Sequence, residues 1–432
     1  MVVERMFDFE KSSNKKVHAL SPVHLLALID ISIFGLLSLQ SGVFDPFIFK
    51  LGLAKAFSTY VLYLIIKKGQ LGETYLMVIT SMILTLGLSM QIRLSTEIGI
   101  KQFIWFAAGL AVFLITSIAY PFLQKKLRSI WLFAGLILGL FLMTQLLGSR
   151  INGAKNWIAI GGFSFQPSEF IKILFVFLMA SFIYTPEVLR LRFSNFRIKP
   201  KWVIMGLVFI ILGFFALQRE FGTALLIFMV YLSMIYAFQQ EIIFLLINIG
   251  VAGSGGLLAF MIAPHLQVRW ESYLNPFADM AGKGYQITQS LFAIGSGGFF
   301  GTGIGNGYPH FIPNVSTDFI FSAICEETGI FGGIAVILLF LLLVYRGIKI
   351  SLRLRDPFTK ALAFGLSTVL GYQTFIIIGG VIRLIPLTGI TLPFISYGGS
   401  SLLSSFIIVG LLQALSGPIL KEEVAALEEI ND

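Results

Sequence analysis

The sequence predicts an all-α polytopic membrane protein, and three observations carry that prediction. Of the 432 residues 56% are hydrophobic and 12% charged, with a mean hydropathy of +0.88, which is more apolar than a water-exposed surface tolerates. Apolar stretches of about 17 to 25 residues, each able to cross a hydrocarbon core of about 30 Å as a helix, recur along the whole chain. Basic residues are shared unevenly between alternate connecting segments. A transmembrane β-barrel would instead show alternating segments of about ten residues, and none is evident.

Twelve spans are expected. The first, 22–38, follows a mixed-charge tail (1–21) that lacks the short basic start and small-residue cleavage site of a removed signal peptide, so it should remain as an anchor. Span 43–66 is the weakest, because Lys50 and Lys55 fall in or near the membrane, where a central lysine costs about 3 kcal/mol. A shorter or re-entrant helix is the alternative there. Spans 74–92, 102–120 and 130–148 are plain apolar runs. Span 169–184 opens after Pro167-Ser168, a favourable start because proline at the first helical position loses no needed hydrogen bond. Spans 202–217 and 223–238 flank a short polar link, 240–263 precedes a glycine-rich loop at about 264–316, and 317–345, 361–382 and 393–416 complete the set.

With a cytoplasmic N-terminus, the inner segments hold 20 basic residues, among them Lys67, Lys125, Arg190, Arg346 and Lys360, and the outer segments hold 8. Lys50, Lys55 and Lys172, inside expected spans, complete the 31. Both termini should therefore be cytoplasmic, including the acidic tail 417–432. This clustering also accounts for the formal charge of +9, so no nucleic-acid partner is expected. A single cysteine, Cys325, excludes an intrachain disulfide, and its apolar surroundings predict a buried, inert thiol. The four histidines lack paired ligand spacing, which argues against a zinc site.

In a chain of lipid-compatible helices, function should lie where polar residues persist despite their cost. Four segments qualify: 148–172, 218–223, 264–327 and 383–401, with the loop portion of each on the outer face. The glycines of 282–307 make a regular helix throughout the long loop improbable, and the apolar run Ser290-Leu-Phe-Ala-Ile suggests that part of it lies on the membrane surface. Gly301-Thr-Gly-Ile-Gly-Asn-Gly follows no strand and precedes no Gly-Lys-Ser/Thr, so it does not read as a nucleotide-binding turn. Glu169 and Lys172, three apart, share a helix face and can simply neutralise each other. Asp318, after Ser316-Thr317, stands where a helix dipole favours any acid, yet it ends the long loop and is followed by apolar Phe319-Ile-Phe.

A family resemblance rests on six segments in order: Asn152-Gly-Ala-Lys-Asn-Trp; Phe165-Gln-Pro-Ser-Glu-Phe with Lys172; Phe221-Gly-Thr-Ala-Leu-Leu; Gly284-Tyr-Gln-Ile-Thr-Gln-Ser with Ala293-Ile-Gly-Ser-Gly-Gly; Thr317-Asp-Phe-Ile-Phe with Glu326-Glu; and Leu392-Pro-Phe-Ile-Ser-Tyr-Gly-Gly-Ser-Ser. Together they resemble the SEDS family (shape, elongation, division and sporulation), the RodA/FtsW/SpoVE-like peptidoglycan glycosyltransferases. The resemblance implies a ten-helix bundle over 74–416, so residues 22–73 would be two additional N-terminal transmembrane helices. Asn156 stands where the family often has arginine, Arg219-Glu220 where it often has Pro-Asp, and Asn314 where it often has glutamate.

By that resemblance the chain would polymerise lipid II into glycan strands at the outer face of the bacterial cytoplasmic membrane. The chemistry needs a base for the incoming sugar hydroxyl, cations for the departing undecaprenyl pyrophosphate, and an apolar flank for lipid tails. Asp318 is the candidate base. Arg150, Lys155, Trp157, Gln166, Glu169, Lys172, Arg219, Glu220, Arg269, Tyr285, Gln286, Gln289, Ser290 and Ser396 are candidates for binding lipid II and its undecaprenyl-linked glycan. No organic cofactor is implied; carboxylate and pyrophosphate oxygens together could hold a magnesium- or manganese-like cation, which leaves almost no sequence signature. A class B penicillin-binding protein, the cross-linking transpeptidase, is the implied partner. A flippase or transporter of the lipid-linked precursor, or a scaffold for that transpeptidase, are the competing functions, but the polar residues gather toward the outer side rather than at the midplane expected of a transporter.

Overall fold

The computed structural model describes residues 21–40, 42–151, 154–160, 163–193 and 196–431. They form helices α1 (Pro22–Ser38), α2 (Pro46–Lys68), α3 (Thr74–Leu94), α4 (Thr96–Leu123), α5 (Ile130–Leu147), α6 (Pro167–Tyr184), α7 (Pro200–Leu217), α8 (Phe221–Gln239), α9 (Ile242–Ile262), α10 (Pro264–Leu274), α11 (Tyr285–Gly297), α12 (Ile320–Arg353), α13 (Pro357–Val381) and α14 (Gly399–Asn431). Eleven of these are long and apolar enough to cross a membrane, and α1, at 17 residues, is a shorter apolar helix. Each of the twelve expected spans coincides with one of them. Helices α6 and α13 form the centre, with 78% of their apolar windows buried, whereas α9 lies at the periphery with 11%.

Span 43–66 is a full helix, and the reason lies in a residue the sequence reading passed over. Lys55 Nζ donates to both carboxylate oxygens of Asp30 on α1 (2.7 and 2.9 Å), to Ser81 Oγ (2.9 Å) and to Thr85 Oγ1 (2.6 Å), with both charged side chains fully buried. Charges inside a membrane protein persist when they pair facing the bundle interior. Lys50, near the start of α2, is exposed.

In the long glycine-rich loop, α11 packs along α12 and buries Ile287, Thr288, Ser290 and Ala293, while Phe292 on the same helix stays exposed. The following stretch lies against α12, where the amides of Thr302 and Gly303 donate to the carbonyls of Glu326 and Glu327 (2.9 and 3.1 Å). Gly329 breaks α12 there with φ +70°, and a side chain on it would strike the Phe299 carbonyl. Glu326 Oε1 accepts from the Tyr308 amide (2.8 Å); Glu327 accepts from the Gly305 amide (3.0 Å) and pairs with Arg93 (2.9 Å).

Between α5 and α6 the chain forms an unforeseen antiparallel sheet of β1 (Ser149–Ile151), β2 (Ala154–Ile160) and β3 (Phe163–Phe165). A second hairpin, β4 (Leu191–Phe193) and β5 (Phe196–Ile198), links α6 to α7. The acidic tail continues α14 as helix to Asn431. The expected N-terminal tail lies almost wholly outside the described residues.

Candidate functional site at the Asp318 end of the bundle

Helices α6, α8, α12 and α14 all begin at one end of the bundle, where their first residues are tied together by polar contacts. The Gln166 amide donates to Ser400 Oγ (3.1 Å), and Gln166 Nε2 donates to Glu220 Oε1 (3.1 Å). Unpaired amides and the positive dipole ends of helices favour anions at such a face.

Asp318 sits in the turn just before α12. Asn314, in the left-handed region at φ 54°, turns its carbonyl to accept the amides of Thr317 (3.1 Å) and Asp318 (3.0 Å), a conformation asparagine adopts more readily than most side chains. The segment before α14 straps this turn from the other side. Ser396 Oγ donates to the Thr317 carbonyl (2.5 Å), and the Tyr397 amide donates to the Ser316 carbonyl (2.8 Å). Gln91 Nε2 from α3 donates to that same Ser316 carbonyl (2.9 Å). Asp318 is thus held by backbone contacts and is partly buried. Burial pushes that carboxyl above its ordinary range, opposed by a Thr317 hydrogen bond and the Arg269 charge.

Arg269 reaches the site from α10, donating from Nη1 to the Thr388 carbonyl (2.9 Å). Gly389, at φ +72°, lies close to both Arg269 and Asp318: a Cβ there would stand 3.5 Å from an Arg269 nitrogen and 3.6 Å from an Asp318 oxygen. Gly222, at the start of α8, packs against Thr388, which joins this centre to the neighbouring carboxylate Glu220.

Glu220 is buried, and its Oε1 accepts from Asn156 Nδ2 (2.7 Å), Gln166 Nε2 and Ser168 Oγ (both 3.1 Å). Burial raises its carboxyl above the usual range; the hydrogen bonds oppose that shift and Glu169 reinforces it. Glu220 Oε2, Asn156 Oδ1, Gln218 Nε2, His265 Nε2 and Thr388 Oγ1 are buried atoms without a hydrogen-bond partner among the described residues. Five orphaned polar atoms in one region are costly unless a ligand completes them. Burial, then the Arg269 and Arg219 charges, hold His265 below its ordinary range.

The remaining sequence candidates divide. Glu169 and Lys172 pair at 2.8 Å; Lys172 also donates to Gln373 Oε1 (2.8 Å) and Ser404 Oγ to Glu169 Oε2 (2.8 Å), forming a buried network that ties α6 to α13 and α14. Ser396 is buried with its hydroxyl fully engaged, since it also accepts the Leu392 amide (2.9 Å), so it positions the Asp318 turn. Ser290 is likewise buried, against Ser322 Oγ (2.6 Å), and joins α11 to α12. Lys155 donates to the Gln145 carbonyl, capping the end of α5. Arg219 is exposed with φ 62°, Trp157 is half-buried on β2, and Tyr285, Gln286 and Gln289 are half-buried on α11. The side chain of Arg150 lies outside the described set.

Sequence reasoning missed Asn156 and Ser168 as partners of Glu220, and Gln218, His265, Thr388 and Gly389 as members of the site. Each lies in one of the four polar segments singled out in the sequence, Asn156 and Ser168 in 148–172, Gln218 in 218–223, His265 in 264–327, and Thr388 and Gly389 in 383–401, but no local signal marked it within its segment. The arrangement provides a carboxylate with raised proton affinity beside an arginine, a second buried carboxylate, and converging helix starts. That is the equipment of a proton acceptor next to an anion site.

A family model described as "Cell cycle protein", covering FtsW, RodA and SpoVE, matches residues 62–418. The peptidoglycan glycosyltransferase RodA of Mycobacterium tuberculosis is 37% identical over 329 residues, covering 73% of this chain and 70% of that protein. Stage V sporulation protein E of Bacillus subtilis is 34% identical, covering 80% and 96%, and the probable peptidoglycan glycosyltransferase FtsW of Coxiella burnetii is 36% identical, covering 79% and 95%. Among solved structures, a chain from a peptidoglycan synthase complex aligns with a TM-score of 0.66 at 23% identity, covering 81% of this chain and 98% of that one. The rod shape determining protein RodA of Thermus thermophilus aligns with a TM-score of 0.54 at 22% identity, covering 80% and 96%.

Proposed function

The chain belongs to the FtsW, RodA and SpoVE family and is a peptidoglycan glycosyltransferase, and from that premise we propose that Asp318 and Arg269 form the centre at which it polymerises lipid II. The observation that carries this reading is the partly buried Asp318 carboxylate and the Arg269 guanidinium, both close to Gly389, beside a group of buried polar atoms without partners among the described residues.

Asp318 takes the proton of the acceptor sugar's 4-hydroxyl as that oxygen attacks the anomeric carbon of the lipid-linked donor. The bond from that carbon to the pyrophosphate breaks, and undecaprenyl pyrophosphate leaves with the electron pair. Arg269 and the starts of α6, α8, α12 and α14 neutralise the developing charge. Because a neutralised pyrophosphate leaves readily, one carboxylate base suffices where glycosidases use two. The half-buried Tyr285, Gln286 and Gln289, with exposed Arg219, are candidates for the sugar and phosphate contacts around this centre.

No three Asp, Glu, His or Cys side chains gather as a cation cage among the described residues. A magnesium or manganese ion at this site would take most of its ligands from the pyrophosphate and water, with Asp318 or Glu220 as protein donors.

The basic asymmetry of 20 to 8 supports placing the Asp318 end outside and both termini in the cytoplasm. The family-model match begins within α2, which supports reading the segment before residue 74 as an N-terminal addition. A class B penicillin-binding protein is the proposed partner. Proteoliposomes given lipid II only on their outer face test the assignment. A glycan polymer supports it, whereas precursor transfer to the lumen without polymer favours a flippase.

A further inference from the structure

Arg383, which the mechanism above leaves unused, ties α10 to the turn after α13. It stands in the left-handed region at φ 59°, with its amide donating to the Gly380 carbonyl (3.3 Å). Glycine and asparagine adopt that conformation readily and arginine does not, so an arginine persists there when its surroundings over-determine it. Its side chain makes the determining contacts: Nε donates to the Tyr273 carbonyl (2.7 Å) and Nη2 to the Leu274 carbonyl (2.6 Å). These are the last two carbonyls of α10, which have no partner within the helix, and a guanidinium there also meets the negative end of the helix dipole.

Helix α10 needs such a clamp. Ser272 is the one buried residue among its eleven, so apolar burial does little to fix it. Gln267 Nε2 donates to the Phe260 carbonyl (3.1 Å) and Ser272 Oγ to the Lys283 carbonyl (2.9 Å), which join α10 to its own neighbours in sequence. Three contacts join it to the segment after α13: the Arg383 fork, Tyr273 Oη donating to the Leu384 carbonyl (3.3 Å), and Arg269 Nη1 donating to the Thr388 carbonyl (2.9 Å). The fork is the shortest of these and the only one with two prongs. Arg269 thus has one nitrogen on Thr388 and the other, Nη2, close to Gly389, as is the Asp318 carboxylate.

We infer that Arg383 is a positioning residue of the polymerising centre: its guanidinium fixes the end of α10 against the turn after α13 and so sets where Arg269 meets the departing pyrophosphate. The inference rests on the reading of Arg269 and Asp318 as that centre. Arg269 lies about one helical turn before Tyr273 and Leu274, so a shift at the end of α10 is carried to it. A misplacement of about 1 Å at a group that stabilises the transition state lowers the rate about 10²-fold. Lysine offers a point charge and not a fork, so it cannot hold both carbonyls in this geometry. A residue that merely capped α10 would act the same whether or not Arg269 were present.

The test compares Arg383→Gly, Arg383→Lys, Arg269→Gln and Arg383→Gly/Arg269→Gln in the full chain, by steady-state polymerisation of lipid II and by amide hydrogen exchange of α10. Glycine suits the left-handed backbone at 383, so Arg383→Gly removes the side chain without straining the turn. It should lower kcat about 10- to 100-fold and change KM far less, and Arg383→Lys should not restore the rate. Exchange in α10 should quicken about tenfold. The double variant should be no slower than Arg269→Gln. Should Arg383→Gly fail to fold, Arg383→Asn serves in its place. A parental rate in Arg383→Gly, unchanged exchange in α10, or an equal loss with and without Arg269 overturns the inference. Quickened exchange together with a parental rate in Arg269→Gln would overturn the reading of Arg269 as part of the centre, and with it this role of Arg383, while the clamp on α10 stands.

Discussion

Arg269 and Asp318 both approach Gly389: a methyl group there would stand 3.5 Å from an Arg269 nitrogen and 3.6 Å from an Asp318 oxygen. No ion pair joins the two among the described residues. A direct pair would hold the carboxylate more firmly in its ionised form and make it a poorer base.

The electrostatics give a pH dependence. Asp318 must be ionised to accept a proton, and burial raises its carboxyl above the ordinary 3.8. Activity should therefore fall as pH drops through a value above 3.8. Arg269 opposes that rise, so Arg269→Gln should move the acid limb to higher pH as well as slow the reaction. Rate–pH profiles of the two proteins check this, and an unmoved limb would separate Arg269 from the base.

The same shift predicts a stability effect of opposite sign. A carboxyl with raised affinity for its proton favours the folded state below pH 3.8 and loses that contribution as pH rises through its folded value. At neutral pH Asp318→Asn, which cannot ionise, should unfold at a higher temperature than the parent. The difference should shrink as the pH is lowered toward 3.8, as thermal unfolding in detergent at several pH values will show.

Gly389→Ala should fold but work poorly. The space beside Gly389 is open to ordinary contact, so the cost comes from holding alanine at φ +72°, about 1 to 2 kcal/mol. Relief of that strain would shift Arg269 and Asp318 relative to each other and lower kcat more than it raises KM. Steady-state kinetics with varied lipid II separates the two effects.

The Asp30–Lys55 pair is fully buried, so removing one partner strands a charge. Lys55→Met should cost about 3 to 5 kcal/mol, and Asp30→Leu/Lys55→Met should recover most of it. Denaturant unfolding of the single and double variants measures both. A single variant as stable as the parent would show that the pair contributes nothing.

These cases mark what the sequence could reveal. The eleven membrane-length helices and the shorter α1 were legible because lipid imposes length and apolarity on each segment independently, and Asp318 stood out as an acid followed directly by apolar Phe319-Ile-Phe, whereas Arg269 lies in the polar run of α10. The pairing of Lys55 with Asp30 was not legible, because the contact joins helices 25 positions apart in sequence. The packing of the glycine-rich loop against Glu326 and Glu327 was hidden for a similar reason: its amides find acceptors on α12, and nothing local announces them. Ser290 and Ser396 read as ligands from their motifs, yet their hydroxyls are used up in holding the helices and turn that frame the site. Gly389, Thr388 and His265 enter the site only when distant segments meet.

The most direct test of the account is polymerisation of lipid II by the purified full chain carrying Asp318→Asn, assayed with the proposed transpeptidase partner and compared with the parent. Asparagine keeps the shape of the side chain and removes the base, so the rate should fall by about 10² to 10⁴ while membrane insertion and partner association persist. Polymer formed at the parental rate would contradict the account, making Asp318 a helix-start residue and placing the base elsewhere.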